Sequence, residues 1–160
     1  MRMKRVVIIG PGASGKSTLA RQIGEIARLP VVELDKLFWQ PGLVEMPRDR
    51  WVELQRRLVG EDEWIMDGDL GLYDAIEVRL READTIIFLD FSIARCIARA
   101  LRRSPERLDF WGWLLRYRRQ GRPFIMKAIS AHHDTAAVHF LRDPKAVRQF
   151  LEKLVSREPA

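Results

Sequence analysis

The residues most clearly suited to chemistry form the segment Gly10-Pro11-Gly12-Ala13-Ser14-Gly15-Lys16-Ser17. Two glycines separated by four positions and followed by Lys and Ser match the pattern of a phosphate-binding loop. Glycines let backbone N–H groups approach phosphate oxygens, the lysine supplies a positive charge for the β- and γ-phosphates, and the serine hydroxyl can bind Mg²⁺. The segment therefore predicts a nucleoside triphosphate site. Its expected contacts are Gly10, Gly12, Ala13, Ser14, Gly15, Lys16, Ser17 and Thr18.

The sequence on either side places this segment between a strand and a helix. Residues 6–9 are consecutive β-branched residues, which indicates a buried parallel strand. After the loop, Leu19, Ile23 and Ala27 recur at helical spacing and predict a helix over 17–27. A phosphate loop requires this context, because the first helical turn adds unpaired N–H donors and a positive dipole potential. A glycine-rich turn with only a structural role is the alternative interpretation.

Aspartates follow three further apolar runs that predict strands. The runs are 31–34, 64–66 and 85–89, and the aspartates are Asp35, Asp67 and Asp90. A last strand is predicted over 137–141. Strands alternating with helices predict an α/β fold with a parallel sheet covered on both faces. Ligands in such sheets bind outside the carboxyl ends of the strands, where these aspartates should meet.

Each aspartate has a chemical and a structural interpretation. Asp67 is the candidate magnesium ligand together with Ser17, and a role in the Asp-Gly turn is the alternative. Asp35 is the candidate that orients or deprotonates the acceptor, and a helix cap is the alternative. Asp90 is interpreted as structural, because Ser92 already opens the next helix.

Basic residues are concentrated between Ser92 and Lys127, where only Glu106 and Asp109 oppose ten Arg and Lys side chains. Arginine bridges two phosphate oxygens with its planar fork, so Arg99 and Arg103 are candidate catalytic residues that neutralise the transferring group. The wider set of candidate phosphate clamps is Arg48, Arg79, Arg99, Arg102 and Arg103. A nucleic-acid surface and a merely arginine-rich composition are the alternatives.

The whole chain, residues 1–160, is expected to form a single domain with a net charge of +6. A substrate-side insertion is predicted at about 36–60 and a lid-like basic helical region at about 95–125. No apolar run approaches the roughly 20 residues of a membrane span, so no membrane partner is expected. Cys96 is the only cysteine, which favours a cytoplasmic protein without disulfides.

Four segments in order carry a resemblance to a known family. They are Gly10-Pro11-Gly12-Ala13-Ser14-Gly15-Lys16-Ser17-Thr18, Leu34-Asp35-Lys36-Leu37-Phe38-Trp39, Trp64-Ile65-Met66-Asp67-Gly68 and Ala83-Asp84-Thr85-Ile86-Ile87-Phe88-Leu89-Asp90. Together they resemble the P-loop kinase-like proteins labelled DNA topology modulation (FlaR-related) proteins. These are similar to adenylate kinases and other small nucleoside-monophosphate kinases.

The resemblance implies a three-layer α/β/α fold whose five parallel strands lie in the order 2-3-1-4-5. It implies ATP or GTP with Mg²⁺ at the phosphate loop, and Asp67 near the metal. Asp35 occupies the place of a catalytic carboxylate in several small-molecule kinases. Arg79 lies where an acceptor-phosphate arginine is expected, and Arg142 is expected to border the nucleotide base.

Three functions follow from these patterns. The first is a Mg²⁺- and ATP-dependent kinase whose partners are a nucleoside triphosphate and an unidentified small-molecule acceptor. The second is a nucleotide-binding regulator that contacts DNA or a protein through its basic helices. The third is an NTPase that releases phosphate without an acceptor. The sequence names neither the acceptor nor the oligomeric state.

Overall fold

A parallel sheet forms the centre of the computed structural model, which describes residues 3–42, 44–71, 74–103, 108–132 and 134–156. Its strands are β1 (Arg5–Ile9), β2 (Val31–Glu33), β5 (Trp64–Asp67), β6 (Thr85–Leu89) and β7 (Ala137–Leu141). Two short strands pair separately as an antiparallel hairpin, β3 (Trp39–Gln40) and β4 (Val44–Glu45).

The sheet order is β2-β5-β1-β6-β7, with every neighbouring pair parallel. Without the hairpin strands, which lie outside this sheet, the order is 2-3-1-4-5, as the sequence predicted. The register places Asp67 level with Ile8 on one side and with Glu33 on the other. The ends of β2, β5 and β1 therefore converge at one edge of the sheet.

Helices cover both faces of the sheet. They are α1 (Lys16–Ala27), α2 (Leu34–Phe38), α3 (Arg48–Val59), α4 (Ile76–Glu82), α5 (Ile93–Arg103), α6 (Leu108–Tyr117), α7 (Gly121–Ser130) and α8 (Pro144–Val155). One core layer joins the sheet to α3, α4 and α7, and the other joins it to α1, α5 and α8. This is the predicted three-layer α/β/α arrangement.

Sequence periodicity accounts for the helices that flank the phosphate loop. The face of α1 that packs on the sheet carries Leu19, Ile23 and Ala27, spaced by four residues. Helix α8 begins at Pro144, and the Asp143 side chain caps it by accepting a hydrogen bond of 2.8 Å from the Ala146 N–H. An Asp cap followed by Pro is a typical helix start.

The predicted boundaries differ from the structure between the second and third strands. Leu34 begins α2 instead of ending β2, because its side chain is fully buried against the core next to Phe38. The segment between β2 and α3 holds α2 and the hairpin, which is closed by a hydrogen bond of 3.1 Å from the Met46 N–H to the Phe38 carbonyl. Among the described residues, no helix has the length and apolar character needed to cross a membrane.

Candidate nucleotide and phosphoryl-transfer site

The phosphate loop joins β1 to α1 and has a tightly constrained backbone. Gly10 and Gly15 adopt φ of +154° and +98°, which is the region that favours glycine. A Cβ on Gly10 would lie 2.8 Å from the Leu89 carbonyl oxygen, so the loop passes directly over the end of β6. The turn is closed by a hydrogen bond of 3.2 Å from the Ser14 N–H to the Pro11 carbonyl.

Lys16 is the first residue of α1, and its ammonium group folds back over the loop. Nζ donates to the Gly10 carbonyl at 2.9 Å and to the Pro11 carbonyl at 3.1 Å. These acceptors are neutral backbone groups, and a charged phosphate oxygen forms a stronger hydrogen bond with an ammonium. The lysine is therefore positioned to exchange its loop contacts for those of a phosphate.

Arg99 reaches the same loop from α5. Its Nη1 donates to the Ser14 carbonyl at 3.0 Å, and its Nη2 lies 2.9 Å from the point where a Cβ on Gly15 would be. Glycine at position 15 thus leaves room for the guanidinium beside the loop. The side chain of Arg103, the other candidate on this helix, lies outside the described residues.

Asp67 ends β5 at the mouth of the loop, and only 4% of it is exposed. Burial raises the pKa of its carboxyl, while a hydrogen bond from the Ser17 side chain and the charge of Lys16 act in the opposite direction. Its Oδ1 is buried and has no hydrogen-bond partner in the part of the chain that the structure describes. The Ser17 hydroxyl and Asp67 carboxylate are oxygen donors suited to Mg²⁺, so the residues present fit the predicted metal site.

Asp35 lies in the first turn of α2, directly after β2, the strand that pairs with β5. The residue that precedes this helix is Glu33, so the interpretation of Asp35 as a helix cap is wrong. Its Oδ1 is 3.5 Å from the point where a Cβ on Gly68 would be, next to the turn after β5. The side chain is solvent-accessible, but partial desolvation in the cleft raises its pKa, against the attraction of Lys16.

Asp69 is a buried carboxylate in the same turn. It accepts a hydrogen bond of 2.9 Å from the Gly71 N–H, and its side chain also interacts with the Tyr117 hydroxyl. Burial raises its pKa to about 6 despite the nearby charge of Lys16. Asp69 therefore links the turn after β5 to the end of α6.

Arg79 does not act as a phosphate clamp, and this prediction is wrong. Its side chain is fully buried and forms two hydrogen bonds with Asp74, at 2.9 and 2.6 Å. Further bonds reach the Gln55 side chain at 2.8 Å and the Gly68 carbonyl at 3.0 Å. Burial raises the pKa of Asp74, but the charge and hydrogen bonds of Arg79 outweigh it and hold the pKa below its ordinary value.

Sequence reasoning missed Asp74 and Gln55, which complete this network. Asp74 also accepts hydrogen bonds from the Trp51 indole, the Gln55 amide and the Ala75 N–H. A signal was present, since Arg79 lies between Ile76 and Leu80 on the apolar face of α4. An arginine in such a position needs a buried acidic partner. The network holds the Gly68 carbonyl and so positions the turn that carries Asp67.

Asp90, interpreted from sequence as structural, forms an ion pair with Arg122 of α7. Both hydrogen bonds of the pair are 2.8 Å long. Arg142, the predicted neighbour of the nucleotide base, lies with its Nε 4.0 Å from Asp90, and its side chain is 74% exposed. The Asp90 side chain thus joins α7 to the end of β7.

A pocket of about 230 Å³ opens beside the phosphate loop. One wall comes from the loop and α1, and the opposite wall from α8, with Arg99 and Phe91 between them. The residues that define these walls are Ser14, Gly15, Thr18, Gln22, Pro144 and Val147. Arg142 is not among the lining residues. The pocket is continuous with the loop and combines apolar walls with a guanidinium.

The chain has an α/β fold with a phosphate loop, and this fold is similar to that of P-loop kinases. Shikimate kinase from Acinetobacter baumannii, in complex with shikimate, is similar with a TM-score of 0.63, 14% identity and coverage of 96% of this chain and 92% of that chain. A gluconokinase from Sinorhizobium meliloti 1021 has a TM-score of 0.57, 16% identity and coverage of 97% and 91%.

A shikimate kinase from Bacteroides thetaiotaomicron shares the fold at a TM-score of 0.61, with 14% identity and coverage of 96% of this chain and 97% of that chain. No family model matches the chain, and no curated protein matches it. The similarity in structure extends over nearly the full length of each chain. It defines the fold and leaves the activity to be argued from the site.

Proposed function

We propose that this chain is a Mg²⁺-dependent kinase that transfers the γ-phosphoryl group of ATP, or GTP, to a small-molecule acceptor. The observation that carries this proposal is the buried carboxylate of Asp67, which lies beside Ser17 and Lys16 with one oxygen unpartnered. A loop that only turned the chain would have no need of a desolvated carboxylate at its mouth. Nucleoside monophosphates belong to the acceptors that the family resemblance suggests.

The phosphate loop would hold the donor nucleotide. Its backbone N–H groups and the start of α1 face the phosphates, and Lys16 would exchange the Gly10 and Pro11 carbonyls for β- and γ-phosphate oxygens. The adjoining pocket would receive the nucleoside, with the base against Pro144 at the wall formed by α8. Arg142 lies near this region and remains a proposed outer contact.

Ser17 and Asp67 would hold Mg²⁺, which supplies charge neutralisation between the β- and γ-phosphates when bound. The chain's own contribution is to hold these two oxygen ligands in fixed positions. Asp67 is fixed by the parallel pairing of β5 with β1, and Ser17 by the first turn of α1. The turn after β5 is fixed in addition by Arg79 through the Gly68 carbonyl.

Asp35 would orient the acceptor hydroxyl and take its proton. Its raised pKa and its position beside Gly68 support a role as general base next to Asp67. Arg99 and Arg103 would neutralise charge on the transferring group, and the region at about 95–125 would close over the site as a lid. Closure would exclude water and suppress hydrolysis of the nucleotide.

The similar structures support a hydroxylated small molecule as acceptor, since they include kinases named for shikimate and gluconate. Membership of the DNA topology modulation proteins remains a prediction from the four sequence segments. A single domain with a substrate-side insertion at about 36–60, in a cytoplasmic protein, belongs to the same proposal.

Two variants test the assignment with labelled ATP and a panel of hydroxylated acceptors. Lys16→Ala should lose most ATP affinity in a calorimetric titration, because the loop then lacks its mobile charge. Asp35→Ala should keep ATP affinity and lose transfer by about 10²–10⁴-fold, as expected for a general base. Arg57→Ala, an exposed arginine on α3, is the control that should change neither measurement. Unchanged ATP affinity in Lys16→Ala would contradict the proposed nucleotide site.

The regulator hypothesis predicts different behaviour. Exposed arginines such as Arg95 and Arg102 on α5 would contact phosphates of DNA, so affinity for duplex DNA would fall steeply with salt. Arg122, within the same basic stretch, is already paired with Asp90. Phosphate transfer without measurable DNA binding would favour the kinase. Release of phosphate that no acceptor stimulates would favour the NTPase.

A further inference from the structure

The acceptor side of the site has a charge distribution that distinguishes classes of substrate. Resting on the proposed kinase function, we propose that the acceptor is an uncharged polyhydroxylated molecule, such as a sugar or a nucleoside, and not an anion. The described cations around Asp35 already have partners, and the Asp35 carboxylate itself adds negative charge to this side of the site. The following observations concern the described residues alone.

The charges that act most strongly on Asp35 are Lys16, Asp67, Asp74 and Arg79. Lys16 lies over the phosphate loop and is needed by the donor phosphates. Arg79 is fully buried, and its guanidinium is engaged by Asp74, Gln55 and the Gly68 carbonyl. Neither cation is therefore free to receive a phosphate or carboxylate of the acceptor.

Two other cations on this side also have partners. The Lys36 ammonium donates to a Glu33 carboxylate oxygen at 2.8 Å, beside Asp35 on α2. Arg48, at the start of α3, donates to the Asp74 carbonyl at 3.4 Å. An acceptor anion would have to displace one of these contacts and also approach the Asp35 carboxylate, and like charges in a partly desolvated cleft repel one another.

The Asp35 carboxylate points to a ligand that donates hydrogen bonds. Asp67 is assigned with Ser17 to Mg²⁺, so Asp35, whose side chain is exposed, is the carboxylate left for the acceptor. Its Oδ1 lies 3.5 Å from the point where a Cβ on Gly68 would be, beside the turn that follows Asp67. Hydroxyl groups of a neutral polyol donate to such oxygens without adding a negative charge, which a phosphate or carboxylate cannot do.

An exposed aromatic side chain follows α2, the helix that carries Asp35. Trp39 directly follows α2, packs edge-on against Phe38 at 5.0 Å between ring centroids, and is 39% exposed. Leu37 and Val44 are also exposed on this segment. A half-exposed indole offers an apolar face for the C–H groups of a sugar ring or for the face of a nucleobase. The segment thus pairs hydrogen-bond acceptors with an apolar surface.

The proposed step conserves atoms and charge. The acceptor hydroxyl oxygen forms a bond to the γ-phosphorus, and the bond between that phosphorus and the oxygen bridging it to the β-phosphate breaks. The hydroxyl proton passes to Asp35. The products are the phosphorylated acceptor and the nucleoside diphosphate.

Matched acceptor pairs test the inference with the full chain, Mg²⁺ and γ-labelled ATP. Each pair differs by one anionic group: glucose and gluconate, ribose and ribose 5-phosphate, adenosine and AMP, cytidine and CMP. We expect label in the uncharged members, with kcat/KM at least about tenfold above that of the anionic partner. Label confined to the anionic members would overturn the inference and keep the kinase function. Bound ATP with no label in any acceptor would count against both proposals.

A pair of aromatic variants provides a second measurement. Trp39→Ala should raise KM for the preferred acceptor about tenfold and leave KM for ATP unchanged, and Trp39→Phe should restore part of the loss. Phe140→Ala is the matched control, because Phe140 is also 39% exposed and packs edge-on against Phe88, but lies on β7 at the opposite side of the sheet. Equal acceptor KM in Trp39→Ala and the unmodified chain would overturn the role of the indole.

Discussion

Arg99 and Arg79 show how differently the two halves of the site use the same side chain. On the nucleotide side, Arg99 makes a hydrogen bond of 3.0 Å to a neutral carbonyl and lies at the surface of a pocket. On the acceptor side, Arg79 is fully buried and bonded to a carboxylate, an amide and a carbonyl. Arg99 is positioned to exchange a neutral carbonyl for an incoming anion, whereas Arg79 is held by the buried Asp74 carboxylate and maintains the position of its surroundings.

The largest expected effect comes from breaking the acceptor-side network. Arg79→Met should lower the free energy of unfolding by about 3–5 kcal/mol, because it leaves the Asp74 carboxylate buried and unpaired. Chemical denaturation monitored by tryptophan fluorescence measures this loss, and Arg57→Met on the surface of α3 is the control. Asp74→Asn combined with Arg79→Met should be more stable than Arg79→Met alone. A single variant as stable as the unmodified chain would contradict the structural role of Arg79.

A smaller but functional effect is expected on the nucleotide side. Arg99→Ala should reduce kcat/KM for ATP by roughly 10²–10³-fold, since a charged donor at the transferring group is lost, while the unfolding free energy changes little. Arg99→Lys should recover only part of the activity, because an ammonium cannot bridge two oxygens. Steady-state kinetics on the unmodified chain, Arg99→Ala and Arg99→Lys measures these changes in kcat/KM. A stability loss equal to that of Arg79→Met would erase the proposed difference between the two arginines.

The smallest expected effect concerns Asp69, which lies between the two halves. Its pKa is about 6 in the folded chain against 3.8 for an ordinary Asp, so between these pH values the folded state binds more protons than the unfolded state. The contribution of Asp69 to the free energy of unfolding therefore falls as pH rises from about 4 to about 6. Above that range the destabilisation is fully present.

Asp69→Asn removes this cost and keeps an acceptor for the Gly71 N–H. It should stabilise the chain by about 1–3 kcal/mol at pH 7.5 and by little at pH 4. Thermal unfolding as a function of pH measures the difference, with Asp62→Asn as an exposed control. A stabilisation that did not depend on pH would mean that burial of the Asp69 charge is not its cause.

The contrast between the arginines also explains what sequence could predict. Runs such as 6–9 and 85–89 are mostly apolar and rich in β-branched residues, which is typical of buried strands, and the phosphate loop depends on local spacing. Whether an arginine binds a ligand or a buried aspartate depends on contacts between segments. Gln55 and Arg79 are 24 positions apart, and no local pattern joins them.

The departures from prediction have the same origin. Leu34 continues the apolar run of the second strand, but burial against the core selects a helix there. Helix α4 begins at Ile76, and the Asp74 carboxylate that precedes it is bonded to Trp51 of α3 and to Arg79 of α4. Asp67 was predicted correctly as the end of a strand, and its place at the loop follows from sheet order, which the family resemblance supplied.

The thiol of Cys96 can report on movement of helix α5. The thiol is fully buried on the face that packs on the core, and burial raises its pKa above the usual value, which also slows its reactions. Arg99, one turn further along the same helix, is bonded to the phosphate loop. A thiol reagent can modify the chain only when α5 lifts away, and the sequence contains no second cysteine to obscure the signal. The rate at which Cys96 is labelled, compared with and without nucleotide, therefore measures how often this helix opens, and no cysteine has to be introduced.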